Sequence, residues 1–214
     1  MKNMEFILYE LSERYPQLKV CIKDVRTCCD YLLESVINGR QILLCGNGGS
    51  SADCDHIAGE LLKGFLLKRP LNELDRKKLS QINGNINLAD RLQYGVCAIP
   101  LHAMSAMFTA YCNDVEPTAV FAQTVFAMGK PGDCLICIST SGNAENVYYA
   151  AVAAKAFGIH VIGLTGQNES KLSEIADICI RVPEIKTFKI QELHLPVYHA
   201  ICAIIESELY GTEE

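Results

Sequence analysis

Leu135-Ile-Cys-Ile-Ser-Thr-Ser-Gly-Asn-Ala-Glu-Asn146 is an apolar run that breaks abruptly into hydroxyl and glycine residues and then into helix-forming sequence. Cys134 to Ile138, bounded by Gly132-Asp133 and Ser139, suits a strand buried on both faces of a parallel sheet. Ser139, Thr140 and Ser141 then place three hydroxyls at a turn, and Gly142 lets the backbone come close to a ligand. Asn143 is placed to cap a helix running through Val147, Ala150 and Ala154. Unpaired N–H groups at a helix start favour a phosphate, and three hydroxyls exceed what one cap needs.

The same pattern occurs earlier. Gln41 to Cys45 is apolar and is followed by Gly46-Asn-Gly-Gly-Ser-Ser-Ala-Asp53, a second strand-to-helix loop rich in glycine. It lacks the Gly-Lys-Ser/Thr of the Walker pattern and the spacing of the dinucleotide fingerprint, so no nucleotide cofactor is indicated; a sugar or its phosphate fits better. The helix that follows, from about Ala52 to Leu62, carries His56 and Glu60 on one face. Such a pair is either a hydrogen-bonded surface pair or a pair that binds a metal or positions a base.

Further strands are predicted at Val96 to Ile99, His160 to Leu164 and Ile178 to Val182, with helices between them, which gives a parallel sheet covered on both faces. Two helices, Met4 to Leu11 and Leu18 to Val36, precede the sheet, and their apolar faces suit either capping the core or packing against another subunit, of which an oligomer is the favoured expectation. Residues 72–94 are polar and read as an insertion with one short helix around Asn72 to Ile82. Asn113 and Asp114 are expected at a loop. The last helix, from about Ile190 to Tyr210, contains Gln191, His194, Pro196 and His199, and Pro196 should kink it.

A length of 214 residues with 50% hydrophobic content suits one α/β domain. The formal net charge of -6 argues against a broad nucleic-acid or anionic-membrane surface. No signal peptide or membrane-spanning run is visible, so a cytoplasmic protein is expected. The 11 cysteines lie mostly inside apolar runs and read as buried thiols. Cys134 and Cys137 have the spacing of a metal pair, but three residues along a strand put them on opposite faces.

Taken in order, Cys-Gly-Asn-Gly-Gly-Ser at 45–50, His56-Ile-Ala-Gly-Glu60, Asn113-Asp114, Ser139 to Asn143, Leu164-Thr-Gly166, and Ile190 to His194 with His199 resemble the sugar isomerase (SIS) domain family. The likeness is specifically to its sedoheptulose 7-phosphate isomerases, or phosphoheptose isomerases, and runs over roughly residues 40–210 of a single SIS domain, with 1–38 as N-terminal helices. It implies a flavodoxin-like three-layer α/β/α fold, assembly as a homotetramer through the N-terminal helices, and active sites built from more than one subunit. It implies that Ser139, Thr140 and Ser141 hold the sugar phosphate, that Asn47, Gly48, Gly49 and Ser50 contact the sugar, and that Asn113 and Asp114 hold hydroxyls. Gln191 also faces substrate in that scheme. Glu60 and His199 match the proton-transfer pair, and zinc is implied on His56, Glu60, Gln191 and His199.

An enediol isomerisation from ketose phosphate to aldose phosphate, here sedoheptulose 7-phosphate to D-glycero-D-manno-heptose 7-phosphate, uses these residue types: Glu60 as the carbon base and His199 as the acid toward oxygen. His194 is expected to be structural, and His102 and His160 to be surface or strand-end residues. Two positions depart from the family: Ala144 stands where a serine is usual, and Phe188 where some members carry an acidic residue. The alternative is a non-catalytic SIS module that binds a phosphosugar or a protein, of the replication-initiator-associating type.

Overall fold

The computed structural model describes residues 3–83 and 86–211. Helices α1 (Met4–Arg14) and α2 (Ile22–Ile37), joined by a 3-10 turn, lead into β1 (Ile42–Gly46), α3 (Gly49–Leu61), α4 (Glu73–Asn83), α5 (Ile86–Ala89), β2 (Ala98–Pro100) and α6 (Ser105–Asp114). Then follow α7 (Val120–Met128), β3 (Cys134–Ile138), α8 (Glu145–Ala156), β4 (His160–Thr165), α9 (Lys171–Ile175), β5 (Ile178–Arg181) and α10 (Thr187–Tyr210). The five strands are parallel in the order β2-β1-β3-β4-β5, which is the flavodoxin-like order.

Alternation along the buried strands sorts their side chains into two layers. Ile42, Leu44, Cys134, Ile136 and Ile162 pack against α1, α2, α3 and α10. Leu43, Cys45, Leu135, Cys137 and Val161 pack against α7 and α8. Cys134 and Cys137 therefore do face apart: the first meets Ser35 Oγ of α2 at 3.1 Å, the second meets Cys45 Sγ at 3.6 Å. All 11 cysteines are free thiols, and most are buried. Among the described residues, no helix is long and apolar enough to cross a membrane.

Several local expectations change. β2 starts at Ala98 because the Val96 N–H is used by the Leu61 carbonyl at the end of α3. Asn113 and Asp114 lie on the last turn of α6, not in a loop. The insertion holds two helices, α4 and α5, and residues 84–85 of the stretch Asn83 to Asn87 lie outside the described residues. Its two ends meet at a neck: Tyr94 N–H donates to the Arg69 carbonyl at 2.8 Å, Pro70 bridges to Gln93, and Gly64 N–H donates to Gln93 Oε1 at 3.1 Å. α10 begins at Thr187 and continues through the buried Pro196.

Two buried polar groups fix α10 in place. Glu206 is 1% exposed and accepts from the N–H groups of Phe65, Leu66 and Leu67 at 2.7, 2.6 and 2.9 Å, and from Arg69 Nε at 2.8 Å. Arg69, equally buried, donates onward to the Leu61 carbonyl at 2.8 Å. One carboxylate thus satisfies three loop amides and a guanidinium that would otherwise be stranded without water. His194, fully buried as expected of a structural residue, bonds the Thr165 carbonyl through Nε2 at 3.3 Å, while its buried Nδ1 has no partner. Burial lowers its pKa from 6.5 to about 4, against the pull of that carbonyl.

Glu206→Ala should lower the unfolding free energy by about 3–5 kcal/mol, read from the urea midpoint, because it leaves a buried arginine unpaired. His194 predicts a pH effect of defined sign. The unfolded chain takes up its proton below 6.5 and the folded chain only near 4, so stability is full above 6.5 and falls between those values as pH drops. Between pH 7 and pH 5 the loss should be about 2 kcal/mol, and His194→Gln should flatten that part of the profile.

Candidate functional site

Strand order places a crevice where β1 and β3 lie side by side, because the chain leaves β1 toward one face of the sheet through α3 and leaves β3 toward the other through α8. Both glycine-containing loops open there. Asn47 and Asn146 bridge them with a reciprocal amide pair, Nδ2 to Oδ1 at 2.8 Å and 2.9 Å. Gly48 is exposed, Ser50 is buried at the start of α3, and Gly49 is packed so closely that a Cβ there would sit 2.4 Å from Gln191 Nε2. Gln191 therefore rests on the glycine loop.

The hydroxyl loop lies beside it. Ser139 is buried with its N–H on the Leu164 carbonyl, and the Thr140 carbonyl accepts from Gly166. Gly142 adopts φ +65°, and a side chain there would collide with Ser170 Oγ. Asn143 does not cap α8, whose cap residue is Ala144. It stands one residue too early, and instead donates from Nδ2 to the Ser141 carbonyl at 3.0 Å and accepts from the Lys171 N–H at 3.1 Å. Thr140, Ser141 and Asn143 line a cavity of about 250 Å³ together with Thr187, the first residue of α10. Thr187 went unnoticed in the sequence, where a threonine ahead of the apolar helical run was its only signal.

Away from this cleft, α3 and α10 bring His56, Glu60 and His199 together. His56 Nε2 lies 3.3 Å from Glu60 Oε1 and 3.3 Å from His199 Nε2. Phe65 packs on the His199 ring, with centroids 5.7 Å apart, and is held there by the amide bonds to Glu206. Burial, and then the neighbouring His56, lower the His199 pKa, while Glu60 raises it. Tyr198 and Asp53 reach His56 from behind, through Tyr198 Oη at 3.1 Å from Nδ1; neither residue was singled out from the sequence.

Zinc held by nitrogen and oxygen at about 2.0–2.1 Å in a tetrahedron sets its donors about 3.3–3.4 Å apart. Both His56 contacts match that edge. The two contacts share one atom, however, and among the described residues no three His, Cys, Asp or Glu side chains close into a complete ligand cluster. Gln191 is not with them: it lies eight residues before His199 on α10, about 12 Å along the axis. Asn113 and Asp114 stand apart on α6, exposed and bonded to each other at 2.8 Å. His102 pairs with Asp55 at 3.1 Å and His160 packs on Tyr31, so neither joins the site.

The model of the SIS domain family matches residues 85–203. A phosphoheptose isomerase of Thiobacillus denitrificans is 39% identical over 186 residues, covering 86% of this chain and 82% of the relative. One from Burkholderia pseudomallei is 34% identical over the whole of both chains. Among solved structures, the phosphoheptose isomerase of Neisseria gonorrhoeae is similar with a TM-score of 0.73 at 30% identity, covering 94% of this chain and 93% of that one. The enzyme of Francisella tularensis gives 0.75 at 27% identity, with 91% of each chain covered.

Proposed function

The chain belongs to the phosphoheptose isomerases of the SIS domain family, and from that premise we propose that it interconverts sedoheptulose 7-phosphate and D-glycero-D-manno-heptose 7-phosphate through an enediol. It is an isomerase, and its substrate is a phosphosugar. The observation that carries the proposal beyond family membership is the meeting of Glu60 and His199 around His56 Nε2. A carboxylate beside two imidazoles supplies a base for the proton on the carbon next to the carbonyl and an N–H for the sugar oxygen. In this reading Glu60 takes the carbon proton and His199 exchanges the oxygen proton. Ser139, Thr140 and Ser141, with Thr187, hold the phosphate, while Asn47, Gly48, Gly49, Ser50 and Gln191 contact the sugar chain, and Asn113 and Asp114 its hydroxyls. Zinc, which the likeness implies on His56, Glu60, Gln191 and His199, would polarise the carbonyl oxygen when bound.

The proposal includes assembly of the site from more than one copy. Thr187 and His199 are twelve residues apart on α10, about 18 Å along its axis, which exceeds the length of a seven-carbon sugar phosphate. His199 opens instead into an apolar groove of about 510 Å³ between α1, α10 and residues 65–67. A second copy seated on that groove, as in a homotetramer joined through the N-terminal helices, would bring its own phosphate loop to this trio.

Sedoheptulose 7-phosphate incubated in heavy water, with and without zinc, should give aldose product carrying solvent deuterium at the carbon next to the carbonyl. Glu60→Gln and His199→Gln should each abolish both signals while leaving the fold intact, and Ser141→Ala should mainly raise KM. Saturable binding of sugar phosphates without product or exchange would favour the non-catalytic module.

Co-expression tests the shared site. Glu60→Gln and Thr140→Glu subunits, each inactive alone, should regain turnover when mixed, since some sites then combine an intact trio with an intact phosphate loop. A site contained within one chain predicts no recovery.

A further inference from the structure

The cavity of about 250 Å³ at the hydroxyl loop carries charge that a phosphate does not need. Among the described residues that line it there is no lysine, arginine or histidine, and two, Glu169 and Glu184, are carboxylates. Glu184 is held in a fixed place. Its Oε1 accepts from the N–H groups of Ile185 and Lys186 at 2.7 and 3.1 Å. Its backbone is tied on both sides, the N–H to the Val182 carbonyl at 2.8 Å and the carbonyl to the Gln167 N–H at 3.1 Å. Oε2 meets Lys189 Nζ at 3.7 Å, an ion-pair distance too long for a hydrogen bond. One oxygen is thus spent on the turn into α10, and the other can still accept from a further donor.

We infer that Glu184 is a specificity-determining residue of this cavity: its carboxylate repels a bare phosphate and accepts from a hydroxyl carried on the carbon next to the phosphate ester. Glu184 acts here within the isomerase reading, on which the placing of the phosphate rests. Thr140, Ser141 and Thr187 supply donors for one phosphate. A carboxylate a few ångströms from that phosphate, partly screened by solvent, weakens its binding about 10-fold. A charged acceptor bonds a hydroxyl more strongly than a neutral one does, so a polyol ester regains that loss and inorganic phosphate does not. The ligand class is therefore a phosphate monoester of a sugar or polyol hydroxylated beside the ester carbon, with no second anionic group at that position. The amide bonds from Ile185 and then Lys186 hold the Glu184 carboxyl below the usual range, so it is charged at neutral pH.

Two esters of the same charge separate the hydroxyl from the phosphate. In 31P NMR titrations of the full chain at low ionic strength, the wild-type protein should bind glycerol 3-phosphate, which has the hydroxyl, about 10-fold more tightly than propyl phosphate, which lacks it. Glu184→Gln keeps an Oε1 for the Ile185 and Lys186 amides and puts an amide nitrogen, a donor, where Oε2 was. It should tighten propyl phosphate and inorganic phosphate about 10-fold each, leave glycerol 3-phosphate unchanged, and so abolish the preference between the two esters. A glutamate that only held the turn into α10 would leave that preference and the affinity for inorganic phosphate as they were.

Equal wild-type affinities for the two esters overturn the role of Glu184 whether or not the variant folds. So does a preference that survives in Glu184→Gln, an unchanged affinity of that variant for inorganic phosphate, or a failure of all three phosphates to bind either protein. A preference that is lost on substitution, in a protein that does not turn over sedoheptulose 7-phosphate, leaves Glu184 its role and removes the isomerase reading instead. Turnover of that sugar by a protein that shows no preference does the reverse.

Discussion

The switch in winding direction between the parallel neighbours β1 and β3 is the constraint on which the molecule is built. Two parallel strands can be neighbours only if the chain crosses over between them, and here the crossover runs first to β2 at one edge and then back through α6 and α7 to β3. The helices that follow β1 and β3 therefore leave toward opposite faces, and the two loops part at the carboxyl ends of the strands. Small residues line the gap between them, and the reciprocal amides of Asn47 and Asn146 hold its two sides at a fixed spacing.

α10 connects this crevice to the rest of the chemistry. It begins at the cleft with Thr187, rests Gln191 on the glycine loop, ties to the sheet at His194, presents His199 beside α3, and ends its buried stretch at Glu206. One helix thus sets the separation between the hydroxyl loop and the His56–Glu60–His199 cluster. That separation is what makes a single copy incomplete in the proposed function, and it follows from helical rise alone.

Much of this was legible in the sequence, for reasons that individual residues explain. Strands such as Cys134–Ile138 and Ile42–Gly46 are short apolar runs between breakers, and burial on both faces allows them little else. His56 and Glu60 could be paired because a spacing of four residues fixes a shared helix face. The role of Asn143 as a cap was misread because a single residue separates the turn from the true cap at Ala144, and sequence places such boundaries less sharply than the chain does. Asp53 and Tyr198 were not legible at all: 145 positions divide them, and only the packing of α10 on α3 puts a phenol between a carboxylate and an imidazole. Gln191, grouped with His56, Glu60 and His199 by likeness, lies against the glycine loop in this fold.

The neck of the insertion has an evolutionary meaning of its own. Because the chain returns at Tyr94 to the Arg69 carbonyl it left, whatever lies between is a side branch whose length the sheet does not feel. The entropy of closing such a branch grows only slowly with its length, so residues can be gained or lost there at little cost. The neck is also close to the Arg69–Glu206 pair, which holds Phe65 against His199. The protein thus has a graft point where new surface can be added within reach of His199 while the scaffold that holds it keeps its shape.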